Sequence, residues 1–173
     1  LCIIYDNGFT HYRNICIKVK GLHERMESIW WYIFDIMGTL AFAVSGVLVA
    51  VSKRMDLFGI FVLAASTAIG GGIIRDLMLG HTPPIALQSS LYFFLIIAAM
   101  LGTTAMIRYF DANIRSKVMH HSAYIYLAGD TIGLASFTIT GTLSGLYFNP
   151  DMWVLIITLG VITAVGGGVI RDV

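Results

Sequence analysis

Two arginine–aspartate dipeptides, Arg75-Asp76 and Arg171-Asp172, each follow three consecutive glycines by two apolar residues: Gly70, Gly71, Gly72 in the first block and Gly166, Gly167, Gly168 in the second. No nucleophile–base pair, zinc signature or carboxylate dyad accompanies them, so the sequence points to no enzyme and calls for no metal and no cofactor. The chemistry on offer is electrostatic. A guanidinium pairs with carboxylates, and glycines that weaken a helix expose carbonyls and helix ends suited to holding a small polar solute or an ion. Asp35 and Asp130 also lie in apolar surroundings. Burying any of these six charges costs several kcal/mol unless it pairs or reaches water, which makes each a functional candidate.

The elements that must position these charges are long and apolar. The chain has 173 residues, 57% hydrophobic and 12% charged, against about 25% charged in a soluble domain, and this deficit points to a lipid bilayer. A net charge of +1 with no basic stripe argues against nucleic acid. Five segments approach the roughly 20 apolar residues needed to cross a bilayer: 28–51, 57–79, 86–107, 123–148 and 152–173. Pro83, Pro84 and Pro150 fall in the polar separators, where a missing N–H does least harm. Trp30, Trp31 and Trp153 near span ends suit an interfacial aromatic belt. His120 and His121 read as part of a solvated basic loop rather than a metal site, and Cys2 and Cys16 as incidental thiols.

Residues 1–25 have mixed polarity and no sustained period, and read as a non-native leader or mobile tail. The first three-span unit covers 26–118 and the second 119–173. Lys53 and Arg54 follow span 1, and Arg108, Arg115 and Lys117 follow span 3, whereas the separators after spans 2 and 4 carry neither residue type. The positive-inside rule then places 52–56 and 108–121 in the cytoplasm and the N-terminus outside.

The chain repeats itself. "DIMGTLAFAVSG" from Asp35 aligns with "DTIGLASFTITG" from Asp130, and "TAIGGGIIRD" from Thr67 matches "TAVGGGVIRD" from Thr163 at eight of ten positions. An offset of three spans makes the copies enter the membrane from opposite sides, an inverted repeat of the kind associated with secondary transporters. A sixth span, the counterpart of span 3, is expected beyond Val173, where the chain stops on an apolar segment as a fragment would.

Depth at about 1.5 Å per residue puts Gly71 about 12 Å from the outer end of span 2, so both glycine blocks approach the midplane. Close helix packing is the simpler use of glycine, and the pairs Gly129/Gly133 and Gly141/Gly145 suit it. Recurrence of the triple glycine with charge behind it favours instead a break in spans 2 and 5. Asp35 lies about 10 Å and Arg75 about 6 Å below the outer ends of their spans, which predicts an Asp35–Arg75 contact and an Asp130–Arg171 twin. Ser45, Thr67, Thr140 and Thr163 could line a polar path, though each alone is better suited to bonding its own helix.

The doubled "GGGxIRD" blocks, with "DxxGTxAFAxSG" and the "GHTPP" after span 2, resemble the bacterial glycine-transporter domain family, which is similar to trimeric intracellular cation channels. The resemblance runs from about Trp30 to Val173. It implies an all-helical membrane fold of two inverted three-helix repeats plus a seventh helix, assembled as a homotrimer. It places Gly70, Gly71, Gly72, Gly166, Gly167 and Gly168 at kinks lining a permeation path; Thr67 and Thr163 are candidates for that path from their hydroxyls alone. The implied function is movement of a small amino acid such as glycine across the plasma membrane. The alternatives are a monovalent cation channel for potassium and, from another class, a non-transporting scaffold. If Met26 is the native start, N-terminal sequencing of the natural product returns "MESIWW"; a mature chain starting earlier refutes that start site.

Overall fold

The computed structural model describes the backbone of residues 10–109, 112–148 and 151–173, and within those ranges the side chains from residue 29 onward, 108–123 excepted. Among the described residues there are six helices: α1 (Thr10–Ser52), α2 (Leu57–Met78), α3 (Ile85–Gln88), α4 (Ser90–Tyr109), α5 (Ala112–Phe148) and α6 (Trp153–Asp172). The turn between α1 and α2 is tight. Arg54 takes a left-handed φ of 55°, and Asp56 caps α2 by accepting the Gly59 N–H at 3.0 Å.

Helix α1 joins the two halves. One face carries Ala43, Val47 and Ala50 into a core with Ile60, Ala64 and Ala68 of α2 and Ile96 and Met100 of α4. Another face carries Phe42 against Phe137 of α5 and Ala164 of α6, with the two rings 5.3 Å apart. Alanine at the α1–α2 contact removes side-chain bulk and lets the backbones approach, a recurring solution where lipid supplies no hydrophobic drive between helices.

The two copies meet through reciprocal contacts. A Cβ on Gly71 would strike the Thr163 carbonyl oxygen, and one on Gly167 would strike that of Thr67. The same exchange joins α1 and α5, where Gly38 faces the Phe137 ring and Gly133 the Phe42 ring. Residue 71 beside 163 and 67 beside 167 means that α2 and α6 run antiparallel, and so by the same logic do α1 and α5. Within the copies, Gly46 sits against Ala64 and the Thr67 hydroxyl, and Gly141 against Gly160 and the Thr163 hydroxyl. These contacts are what two copies related by a twofold axis would make.

Three expectations are corrected. First, α2 and α6 are not broken at the triple glycines; each is helical from end to end. Three glycines weaken a helix by about 3 kcal/mol, but each backbone group left unpaired in hydrocarbon costs several. Gly70, Gly71, Gly166 and Gly167 sit in close contact with the opposing helix instead, whereas Gly72 and Gly168 do not. Second, the loop expected over 108–121 is mostly helix, since α4 runs to Tyr109 and α5 starts at Ala112. His120 and His121 therefore lie on α5, and their side chains are outside the described set. Helix α1 runs without interruption from Thr10 through span 1; residues 1–9 are outside the described set. Third, four described helical segments rather than five are long and apolar enough to cross a membrane: Ile29–Ser52, Leu57–Met78, Ser90–Ile107 and Trp153–Asp172. Helix α5 has the length but not the apolarity, because glycines and hydroxyls recur along it. Its hydroxyls are answered locally: Thr131, Thr138 and Ser144 each donate at 2.7 Å to the carbonyl four residues back.

The glycines are not equivalent. A Cβ on Gly71 meets unyielding backbone, whereas one on Gly72 would have only the Arg75 guanidinium at 3.8 Å nearby. Gly71→Ala should therefore destabilise the protein by about 1–3 kcal/mol through overpacking, and Gly72→Ala should leave it unchanged or raise it by up to about 1 kcal/mol through helix propensity. Thermal unfolding of the purified variants in detergent checks the pair.

Candidate functional site

The sequence puts one arginine near the end of each glycine-bearing helix, and the fold turns both inward. Arg75 and Arg171 are each 2% exposed. The Arg75 Nη1 donates to Asp35 Oδ1 at 3.1 Å, and its Nε donates to Asp76 Oδ1 at 2.9 Å. The Arg171 Nη1 donates to Asp130 Oδ1 at 2.8 Å, and its Nε to Asp172 Oδ1 at 2.8 Å. Both cross-helix contacts expected from depth are thus present. Each guanidinium also sits beside the aspartate next to it in sequence, a pairing the depth argument does not include.

The second oxygen of each carboxylate in the first cluster takes a donor from another element. Asp35 Oδ2 accepts the Tyr92 hydroxyl of α4, and Asp76 Oδ2 accepts the Ile85 N–H at the start of α3 at 2.8 Å. Every carboxylate oxygen of Asp35 and Asp76 therefore has a donor, which is what permits two carboxylates to be buried beside one guanidinium. The Trp31 ring covers Arg75, with the guanidinium carbon 4.8 Å from the ring centre, and its Nε1 donates to Ser144 Oγ on α5 at 3.0 Å.

The second cluster repeats this plan with substitutions. Tyr126, at the position equivalent to Trp31, covers Arg171 at 4.5 Å, and its hydroxyl reaches Asp172 at 3.4 Å. Arg171 also donates to Ser45 Oγ on α1 at 2.6 Å. This cluster is more open: the Asp130 side chain is 21% exposed and that of Asp172 59%. Each cluster is thus tied to the other copy, one through Trp31 and the other through Ser45.

The remaining candidates divide. Gly70, Gly71, Gly72, Gly167 and Gly168 are buried, and Gly166 is half-buried. Thr67 back-bonds to the Leu63 carbonyl at 2.7 Å, and Thr140 to that of Phe137 at 3.3 Å, as their types favour. The Thr163 hydroxyl is fully buried and has no hydrogen-bond partner. Trp31 departs from the interfacial role expected of it, being half-buried and stacked on Arg75, whereas Trp30 and Trp153 are exposed. Sequence reasoning misses Tyr92, whose hydroxyl carries no charge signal. The one available clue to Tyr126 is the repeat offset itself.

Long apolar helices in two antiparallel copies, with a buried guanidinium in each, define a multi-pass helical membrane protein. The chain belongs to the glycine transporter family, which it matches over residues 32–108 and 127–173. It is 42% identical over 142 residues to a UPF0126 membrane protein of Vibrio cholerae, with 82% of this chain and 56% of that one covered. It is 38% identical over 143 residues to the UPF0126 inner membrane protein YadS of Escherichia coli strain K12, with 82% and 64% covered. The chain thus spans somewhat less than two thirds of the length of these relatives. Among solved structures it is similar to the TRIC trimeric intracellular cation channel orthologue from Rhodobacter sphaeroides, with TM-score 0.70, 33% identity, and 82% of this chain and 68% of that one covered.

Removing one partner of a buried ion pair costs about 3–5 kcal/mol, so Asp35→Ala should lower stability strongly. Asp130→Ala should cost less, because Asp130 is already part-solvated. A double-mutant cycle on Asp35 and Arg75, read by unfolding in detergent, should return a coupling of about 1 kcal/mol or more; additive losses would mean that the two do not interact.

Proposed function

We propose that this chain forms the greater part of a membrane transport protein that conducts a monovalent cation. The observation that carries this reading is the charge balance at the clusters: each sets one guanidinium against two aspartates, a formal excess of one negative charge. In a low-dielectric interior such an excess attracts cations and repels anions. The likeness to a trimeric intracellular cation channel orthologue supports the same class and a homotrimeric assembly. In this reading the path runs beside α2 and α6, with Gly70, Gly71, Gly166 and Gly167 fixing their approach and Gly72, Gly168, Thr67 and Thr163 adjoining. The inverted repeats are 26–118 and 119–173. The protein sits in the plasma membrane, with residues 52–56 and the region joining α4 to α5 facing the cytoplasm.

Movement of glycine or a similar small amino acid is the second reading, and membership of the glycine transporter family favours it. Against it stands the continuity of α2 and α6, which gives neither of these two helices a mid-membrane end to hold a carboxylate. Full-length natural protein in liposomes separates the readings. Ohmic potassium current without saturable uptake of radiolabelled glycine is the expected result. Saturable glycine uptake without conductance would establish the carrier, and neither activity would leave a scaffold.

A further inference from the structure

Asp76 stands two residues from the end of α2, beside the exposed Leu77 and Met78, yet it is only 2% exposed itself. The segment 79–88, which turns back after α2, places α3 beside it and against both α2 and α4. The turn is organised around Asp76 from both its backbone and its side chain. Its carbonyl accepts the His81 N–H at 2.8 Å, and its Oδ2 accepts the Ile85 N–H at 2.8 Å. Its Oδ1 is held by the buried Arg75. Pro84, immediately before Ile85, is buried, and the His81 ring lies 4.9 Å from that of Phe148 at the end of α5.

We infer that residues 79–88 form a strap that closes the Arg75–Asp35–Tyr92 cluster on one side, with the Asp76 carboxylate as its latch. The latch is economical because one side chain faces two ways. Oδ1 belongs to the ion-pair cluster, and Oδ2 fixes the first N–H of α3, which has no partner inside its own helix. Displacing Arg75 frees Asp76 to reorient and releases the strap. Opening the strap in turn lets water reach a guanidinium that is otherwise covered by Trp31 and two carboxylates. Strap position and cluster geometry are therefore two readouts of one equilibrium, whether the protein is a channel or a carrier.

The backbone allows a clean test. Ile85 is the first residue of α3, where proline is tolerated, and Pro84 has φ −55° and ψ 144°, a conformation compatible with a following proline. Ile85→Pro thus deletes the latch N–H and leaves Asp76 charged and in place. Ile85→Ala keeps the N–H and removes only the side chain. Asp76→Ala removes the acceptor. Amide hydrogen exchange would be followed on the full-length protein and each variant in lipid nanodiscs. Ile85→Pro and Asp76→Ala should each speed exchange across the remaining amides of 79–89 by about tenfold or more, the factor lost with a hydrogen bond to a charged acceptor. Exchange in the body of α2 should stay unchanged in Ile85→Pro, which leaves the Arg75–Asp76 pair intact, and this shows that the variant folds. Unchanged protection of 79–89 in Ile85→Pro would overturn the latch. Equal acceleration in Ile85→Ala would also overturn it, since packing rather than the N–H would then hold the strap.

Discussion

A guanidinium inside an apolar bundle must be answered on the spot, and the arrangement of this protein follows from answering two of them. Arg75 draws Asp35 from α1 and Asp76 from its own helix, and Asp35 in turn takes the Tyr92 hydroxyl from α4. One cation thereby fixes the relative depth of three helices. The second guanidinium, Arg171, does the same with Asp130 on α5 and reaches across to Ser45 on α1. Coulomb attraction in hydrocarbon is strong, but desolvation opposes it, and the balance depends on giving each carboxylate oxygen a donor. The first cluster meets that condition for both of its carboxylates, with donors from three different elements.

The glycines set the distance at which this can happen. At the α2–α6 crossing, Gly71 lies on the Thr163 carbonyl and Gly167 on that of Thr67, so the backbones are as near as they can be. A side chain at either position would push the helices apart and move each arginine, four residues further along its helix. Packing and electrostatics are then coupled through the spacing of the repeated motif. The triple glycine and the arginine recur together because one sets the approach that the other requires. The same coupling joins the copies, since Trp31 bonds to α5 while it covers Arg75.

Much of this arrangement is legible in the amino-acid sequence. Apolar runs locate α2, α4, α6 and the membrane segment of α1, and depth arithmetic pairs Asp35 with Arg75 and Asp130 with Arg171. What is not legible divides by physical cause. The triple glycine reads as a break when intrinsic propensity is weighed without the larger cost of unpaired backbone in lipid. Helix in residues 112–121 is hidden because polar composition resembles a loop, although nothing there forbids a helix. Tyr92 and Ser45 are invisible as partners because an uncharged hydroxyl leaves no trace in composition or periodicity. Trp31 is misplaced because a tryptophan near a span end ordinarily marks the interface, and only its contact with Arg75 shows otherwise. Asp76 stands out for its charge, but its hold on Ile85 depends on a return of the chain that no pattern announces.

The guanidinium of each repeat is bound by the aspartate of its neighbouring helix, and this pairing must hold while the protein resides in lipid. The most direct measurement is dipolar recoupling by solid-state NMR between the labelled guanidinium nitrogens of Arg75 and the carboxylate carbon of Asp35, in the full-length protein in bilayers. Strong coupling is expected, consistent with a nitrogen–oxygen separation of 3.1 Å, and it should be lost in Asp35→Ala. Absence of coupling in the unsubstituted protein, with α2 shown to be helical, would contradict the pairing.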